Sequence, residues 1–236
     1  MARRRILVSG ATDGIGLALV KRLAPRHDVI ATGRREYEAA LKVLPEGVIY
    51  IRADQSDPVE AAKAAGRGLL ENGLRQLDFA VLNAGVGRAG APQEETPASI
   101  RQTLDINLAG TIAMAHMMYP FLKPAKGQLT IIGSVARKGS ARFATYAASK
   151  AGLFGLARAL EAEWRGVVHV QCLDPGPTRT DMQSKAGLET GSRRWFVPVD
   201  AMAAMLEGAI RTGETPRALS ALRYWSGGAV LRRSIR

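Results

Sequence analysis

Short runs of branched apolar residues alternate along this chain with longer stretches in which alanine, leucine and charged residues recur at helical spacing. The apolar runs fall at 5–9, 28–32, 48–52, 78–82, 128–133 and 167–173, short enough for strands and too continuous for strands with a wet face. Helical patterns occupy about 15–25, 35–43, 57–71, 97–119 and 145–165, with another near 200–212. Strands alternating with helices of this length form parallel βαβ units, because a parallel connection needs a crossover and the crossover helix covers the sheet. The expected class is α/β, a doubly wound parallel sheet with helices on both faces. No repeat, long linker or low-complexity segment divides the sequence, so one domain over 1–236 is expected. Ligands of such sheets bind outside the carboxyl ends of the strands.

A chain of 236 residues, 47% of them hydrophobic, can bury a full core. Its 33 lysines and arginines against 21 acidic residues leave a formal charge of +12, which attracts polyanions: nucleic acid, phosphorylated cofactors or acyl carriers. Reading a nucleic acid specifically requires a basic surface joined to a reading element, and no such partner is expected here. Cys172 lies in the apolar run VVHVQCL and reads as packing; His27, His116 and His169 are scattered, so neither a disulfide framework nor a metal cluster is expected. There is no apolar stretch of about 18 residues and no signal sequence after the basic start MARRR, which predicts a cytoplasmic protein without a membrane partner.

Candidate chemistry begins in the first loop, SGATDGIG, where Gly10, Gly14 and Gly16 bracket Thr12, Asp13 and Ile15. Between a strand and a helix, such glycines permit a tight turn and the approach of a pyrophosphate to the helix N-terminus. The spacing GxxxGxG is neither GxGxxG nor a triphosphate loop, since no GK[ST] follows. After the second strand come Gly33, Arg34 and Arg35. Selection of NAD wants an acid here for the ribose 2′-hydroxyl; two guanidinium groups suit a 2′-phosphate, unless they form only a solvated basic turn. Asp54, just past the third strand, either accepts from adenine or caps the next turn. In YAASK, Tyr146 and Lys150 stand four residues apart on one helical face, where the cation stabilises a phenolate. That makes a proton donor of a tyrosine whose free pKa is about 10, although a surface pair has the same spacing.

Together with further motifs, these residues resemble the classical short-chain dehydrogenase/reductase family over roughly residues 5 to 180. The loop at 10–16 corresponds to the family's cofactor loop. Asn83, Ala84 and Gly85 match its NAG element, and Asn107, Ser134, Tyr146 and Lys150 its catalytic tetrad. Pro175, Gly176 and Thr180, with Thr178 between them, match the segment facing the nicotinamide. The resemblance implies a Rossmann-type dinucleotide-binding and catalytic domain using NADP(H), acting as a carbonyl reductase or alcohol dehydrogenase on a small or acyl-type ketone or alcohol. In that reading Tyr146 protonates the carbonyl oxygen, Ser134 donates to it, Lys150 lowers the tyrosine pKa and binds ribose, and Asn107 positions a water leading to Lys150. Ordinary structural uses stand beside these roles: a helix kink at Asn107, a strand-end cap at Ser134, a turn at Asn83. The rival reading is a catalytically idle NADP-binding sensor or interaction protein.

Some features depart from the family pattern. Ser134 and Tyr146 are twelve positions apart, one fewer than the commonest family spacing, and Asp13 stands where NADP-dependent members often carry a base. NADP selection therefore falls mainly to Arg34 and Arg35. A short substrate lid is expected over about 180–198, with Trp195 and Phe196 either covering an apolar substrate or packing elsewhere. The ending RYWSGGAVLRRSIR only loosely matches a last strand and glycine pair. Arg88, Arg137 and Arg142, in loops expected near the catalytic mouth, would suit an anionic, carrier- or CoA-linked ketone. The resemblance also implies a homodimer or homotetramer paired through the helices at about 97–119 and 145–165, where Ala109, Gly110, Ala151 and Gly152 are small enough for close packing.

Overall fold

The computed structural model describes residues 3–180, 196–215 and 219. Six strands form one parallel sheet: β1 (Arg5–Ser9), β2 (Asp28–Gly33), β3 (Ile49–Arg52), β4 (Phe79–Leu82), β5 (Gln128–Ile132) and β6 (His169–Leu173), in the order β3-β2-β1-β4-β5-β6. The order reverses between β1 and β4, so the crevice of a doubly wound sheet opens at their carboxyl ends. The expected α/β class is the one observed. Alternation along β1 shows why both faces are apolar: Ile6 and Val8 enter one core and Leu7 the other. Helices α1 (Gly14–Leu23), α2 (Tyr37–Leu41) and α7 (Val199–Thr212) contribute to the first core. The second receives α3 (Pro58–Glu71), α5 (Gly110–Leu122) and α6 (Ala144–Glu163).

Local chemistry sets the boundaries. Asp13 caps α1 by accepting from the Gly14 N–H at 2.7 Å, and Asp57 caps α3 at the Glu60 N–H, with Pro58 filling the first helical position. Thr96 and Pro97 start α4 (Pro97–Leu104) in the same way. The sixth strand begins later than expected because the N–H groups of Val167 and Val168 both donate to the Trp164 carbonyl, closing the end of α6 instead of entering the sheet.

The single helix expected at 97–119 is three pieces: α4, a π-type turn over Asp105–Ala109, and α5. The Gly110 N–H reaches back to the Asp105 carbonyl, which inserts an extra residue into the turn. Two carbonyls there receive side-chain donors, Ile106 from Gln55 Nε2 at 3.3 Å and Asn107 from Thr111 Oγ1 at 2.9 Å. A short parallel pair absent from the sequence reading, β7 (Thr178–Arg179) with β8 (Val197–Pro198), brings the chain back beside the crevice. Most of the expected lid, including Trp195, and the ending at 223–236 lie outside the described residues.

Candidate active site

A cavity of about 540 Å³ runs from the first loop, at the carboxyl ends of β1 and β4, to the start of α6. Its floor depends on close approach of backbones. Gly10 has φ +61°, and a Cβ there would sit 2.7 Å from Ala84 Cα; a Cβ on Gly16 would strike the Gly10 carbonyl. Gly16 therefore does not line the cavity but lets the loop fold, while Gly10, Thr12, Asp13, Gly14 and Ile15 line it. Asn83 reinforces the same turn: its Nδ2 donates to the carbonyls of Ser9 and Gly10 at 3.1 and 3.3 Å, and Ser9 Oγ accepts from the N–H groups of Asn83 and Ala84. Asn83, Ala84 and Gly85 all reach the cavity wall.

The two arginines after β2 part company. Arg34 lines the cavity beside Gly33, whereas Arg35 is exposed outside its lining and its carbonyl accepts from the Tyr50 hydroxyl at 2.7 Å. Burial pushes that phenol up to about 12, so it stays a neutral donor. Asp54 shows the turn-capping use, its carboxylate accepting from the Ser56 N–H at 3.0 Å, and it also lines the cavity.

At the other end, Ser134, Tyr146 and Lys150 share the cavity wall. Ser134 also has the capping use expected as its alternative, its Oγ accepting from the Ala136 N–H at 3.1 Å to start the turn Val135–Lys138. Burial raises the Tyr146 pKa, and a polar contact with the Ser134 hydroxyl opposes the rise. The sequence expectation was a tyrosine lowered by Lys150; here desolvation decides the direction. Lys150 Nζ lies 5.7 Å from the Tyr146 ring centre and donates to the Ile132 carbonyl at 2.9 Å. It is 4% exposed, and burial brings its pKa down to about 8 against the charges of Cys172 and Asp174.

Asn107 is fully buried and does not line the cavity. It clamps the segment after β4: Oδ1 accepts from the Val86 N–H at 2.7 Å, and Nδ2 donates to the Val86 carbonyl at 2.8 Å and to Ser149 Oγ at 3.2 Å. Ser149 in turn donates to the Tyr146 carbonyl. Asn107 thus sits in the π-type turn and braces the start of α6, joining the kink expected as its structural use to a place behind Tyr146.

Pro175, Gly176, Thr178 and Thr180 complete the wall. Val135, Ala136, Phe143 and Phe196 add apolar side chains to the lining, of which the sequence had pointed only to Phe196. Phe143 meets the Tyr146 ring edge-on at 6.0 Å. Of the three arginines expected near the mouth, Arg137 needs correction. Arg137 is partly buried and paired: its Nε donates to Asp174 Oδ2 at 2.6 Å and its guanidinium lies 3.8 Å over the Phe154 ring. Arg88 and Arg142 are exposed beside the lining residues Gly87 and Phe143, outside the cavity. Among the described residues there is no group of side chains suited to hold a metal ion, and no helix is long and apolar enough to cross a membrane.

A sequence profile for the family described as short chain dehydrogenase matches residues 4–190. The chain belongs to the short-chain dehydrogenase/reductase family. It is 32% identical over 184 residues to the 3-oxoacyl-[acyl-carrier-protein] reductase MabA of Mycobacterium tuberculosis, covering 76% of this chain and 71% of that protein. It is 31% identical to an uncharacterized short-chain type dehydrogenase/reductase, y4vI, of Sinorhizobium fredii over 216 residues, which is 85% of this chain but only 38% of that longer protein. A crystal structure of a short chain dehydrogenase from Burkholderia cenocepacia in complex with NADP superposes with a TM-score of 0.75 at 29% identity, covering 93% and 94% of the two chains. This short-chain dehydrogenase is accordingly an oxidoreductase by family, and its own residues are the guide to finer chemistry.

Proposed function

We propose that the chain is an NADPH-dependent reductase of small or acyl-type ketones and aldehydes, able to run as an alcohol dehydrogenase in reverse. The observation that carries this is the shared cavity: a glycine loop at a helix N-terminus and Arg34 line one end, and Ser134, Tyr146 and Lys150 the other. The geometry at Gly10 and Gly16, where a Cβ would strike backbone, suits a pyrophosphate approached by main-chain N–H groups. Gly10 to Ile15 would hold that group, Arg34 a 2′-phosphate, Asp54 the adenosine end, and Pro175 to Thr180 the nicotinamide side. Nicotinamide supplies or takes up the hydride when bound.

The protein's part is proton handling. In reduction Tyr146 gives its proton to the carbonyl oxygen while the Ser134 hydroxyl donates a hydrogen bond to the same atom. A phenol kept protonated by burial is ready as the acid. The neighbouring Lys150 cation stabilises the phenolate left behind. Asn107 braces Tyr146 through Ser149. The apolar lining side chains of Val135, Ala136, Phe143 and Phe196 suit an alkyl or acyl group. Exposed Arg88 and Arg142, next in sequence to the lining residues Gly87 and Phe143, and the similarity to MabA, support carrier- or CoA-linked ketones as one substrate class. The idle alternative has no observation in its favour.

The test is a turnover screen of diketones, quinones, sugars and β-ketoacyl thioesters with NADPH and with NADH, repeated with Tyr146→Phe. We expect NADPH-dependent turnover, about 10³-fold lower in Tyr146→Phe with NADPH affinity within a few-fold. Full activity in that variant would assign protonation to another group.

A further inference from the structure

We propose that Asp174, acting with Arg137, is a positioning residue that fixes Ser134 against Tyr146; this rests on the reaction proposed above. At the ends of β5 and β6 the ladder closes with the Gly133 N–H donating to the Leu173 carbonyl at 2.8 Å. The next donor, the Ser134 N–H, goes instead to the side chain of Asp174, whose Oδ1 accepts it at 3.1 Å. A Cβ on Gly133 would collide with that same oxygen, so glycine there admits the carboxylate.

Asp174 is 4% exposed, and a buried carboxylate is costly unless it is paired and hydrogen-bonded. Its second oxygen, Oδ2, accepts from Arg137 Nε at 2.6 Å. Arg137 is delivered by the short turn Val135–Lys138, and that turn is started by Ser134 Oγ. The contacts form a closed circuit: Ser134 caps the turn, the turn carries Arg137, Arg137 pairs with Asp174, and Asp174 holds the Ser134 backbone. Stacking of the guanidinium on Phe154 ties the circuit to α6, two turns beyond Tyr146. Ser134 is thereby held against Tyr146 by a circuit whose charged members, Asp174 and Arg137, do not line the cavity.

The variants are Asp174→Asn, which keeps the size and an acceptor but removes the charge, and Arg137→Lys, which keeps the charge but loses the planar fork. Each is made alone and in a Ser134→Ala background. We expect Asp174→Asn to lower kcat at least about tenfold on whichever screened ketone the wild type reduces, with NADPH affinity within about twofold. The Asp174 carboxylate also favours the charged form of Lys150, so the background variant isolates the route through Ser134. There, adding Asp174→Asn should change kcat less than about twofold. Hydrogen exchange of the amides at 133–138 should quicken at least about tenfold in Asp174→Asn, with β1 and α1 unchanged. An equal loss of kcat with and without Ser134, or unaltered exchange at 133–138, overturns the proposal. Should Asp174→Asn not fold, Arg137→Lys is judged by the same two criteria. Absence of wild-type turnover on every carbonyl would defeat the proposed reaction, and exchange alone would then decide whether the circuit holds Ser134.

Discussion

Burial of Lys150 has a measurable consequence for stability. Its pKa falls from 10.5 in the unfolded chain to about 8 in the folded protein, because an ammonium that is 4% exposed has lost most of its water. Between those values the unfolded chain binds the proton and the folded protein does not, so stability rises with pH there; below about 8 both states are protonated and the term is flat. The full window is worth about 3 kcal/mol at 1.36 kcal/mol per pKa unit. Replacement of Lys150 by Met removes the charge but also the donor to the Ile132 carbonyl, an offset that is independent of pH. The assay is urea unfolding of wild type and Lys150→Met from pH 6.5 to 10. The difference in unfolding free energy, wild type minus variant, should be constant up to about pH 7.5 and climb by about 2 kcal/mol by pH 9.5. A difference that stays flat or falls over that range would mean that the folded pKa is not depressed.

Two further outcomes test the loop and the assembly. Gly16→Ala should destabilise by about 1–3 kcal/mol, because its Cβ strikes the Gly10 carbonyl, whereas Gly208→Ala, in α7 with open space around it, should stabilise by about 0.5–1 kcal/mol; thermal midpoints moving in the same direction would refute this. We expect a homodimer or homotetramer paired through the helical segments at about 97–119 and 145–165, although Gly110 packs on Gln55 and Gly152 on Leu108, leaving Ala109 and Ala151 of the small residues expected there. Sedimentation showing only monomer at micromolar concentration would end that expectation.

The sheet was legible because burial on both faces leaves a signal that tertiary context does not override: continuous apolar runs separated by helical spacing. Where the reading slipped, the determinants were interactions between distant residues. The apolar pattern of 97–119 runs unbroken through the π-type turn, and one of the two side chains that donate to its carbonyls is Gln55, which reaches it from beyond β3. The β7–β8 pair involves two residues on each side, too few to carry a period. Val167 and Val168 have the composition of a strand, but their N–H groups have a nearer acceptor in Trp164.

The site divides along the same line. Residues whose chemistry is local, the glycine loop and the Tyr146–Lys150 helical pair, could be found by spacing, and the loop's residues other than Gly16 share one cavity with the pair. Charge was misleading where its partner was remote. Arg137 has the appearance of a mouth arginine until Asp174, 37 positions away, accepts its donor and Phe154 receives its face. Asp174 gives no signal of its own, being an acid before Pro-Gly at the end of a strand. Only the parallel pairing of β5 with β6 brings its carboxylate to the Ser134 N–H. In a fold whose strands all end on one edge, the groups behind a reactive side chain come from the neighbouring strand and not from the neighbouring sequence. That is why the first rank of this site could be read from local spacing, while its support required the sheet.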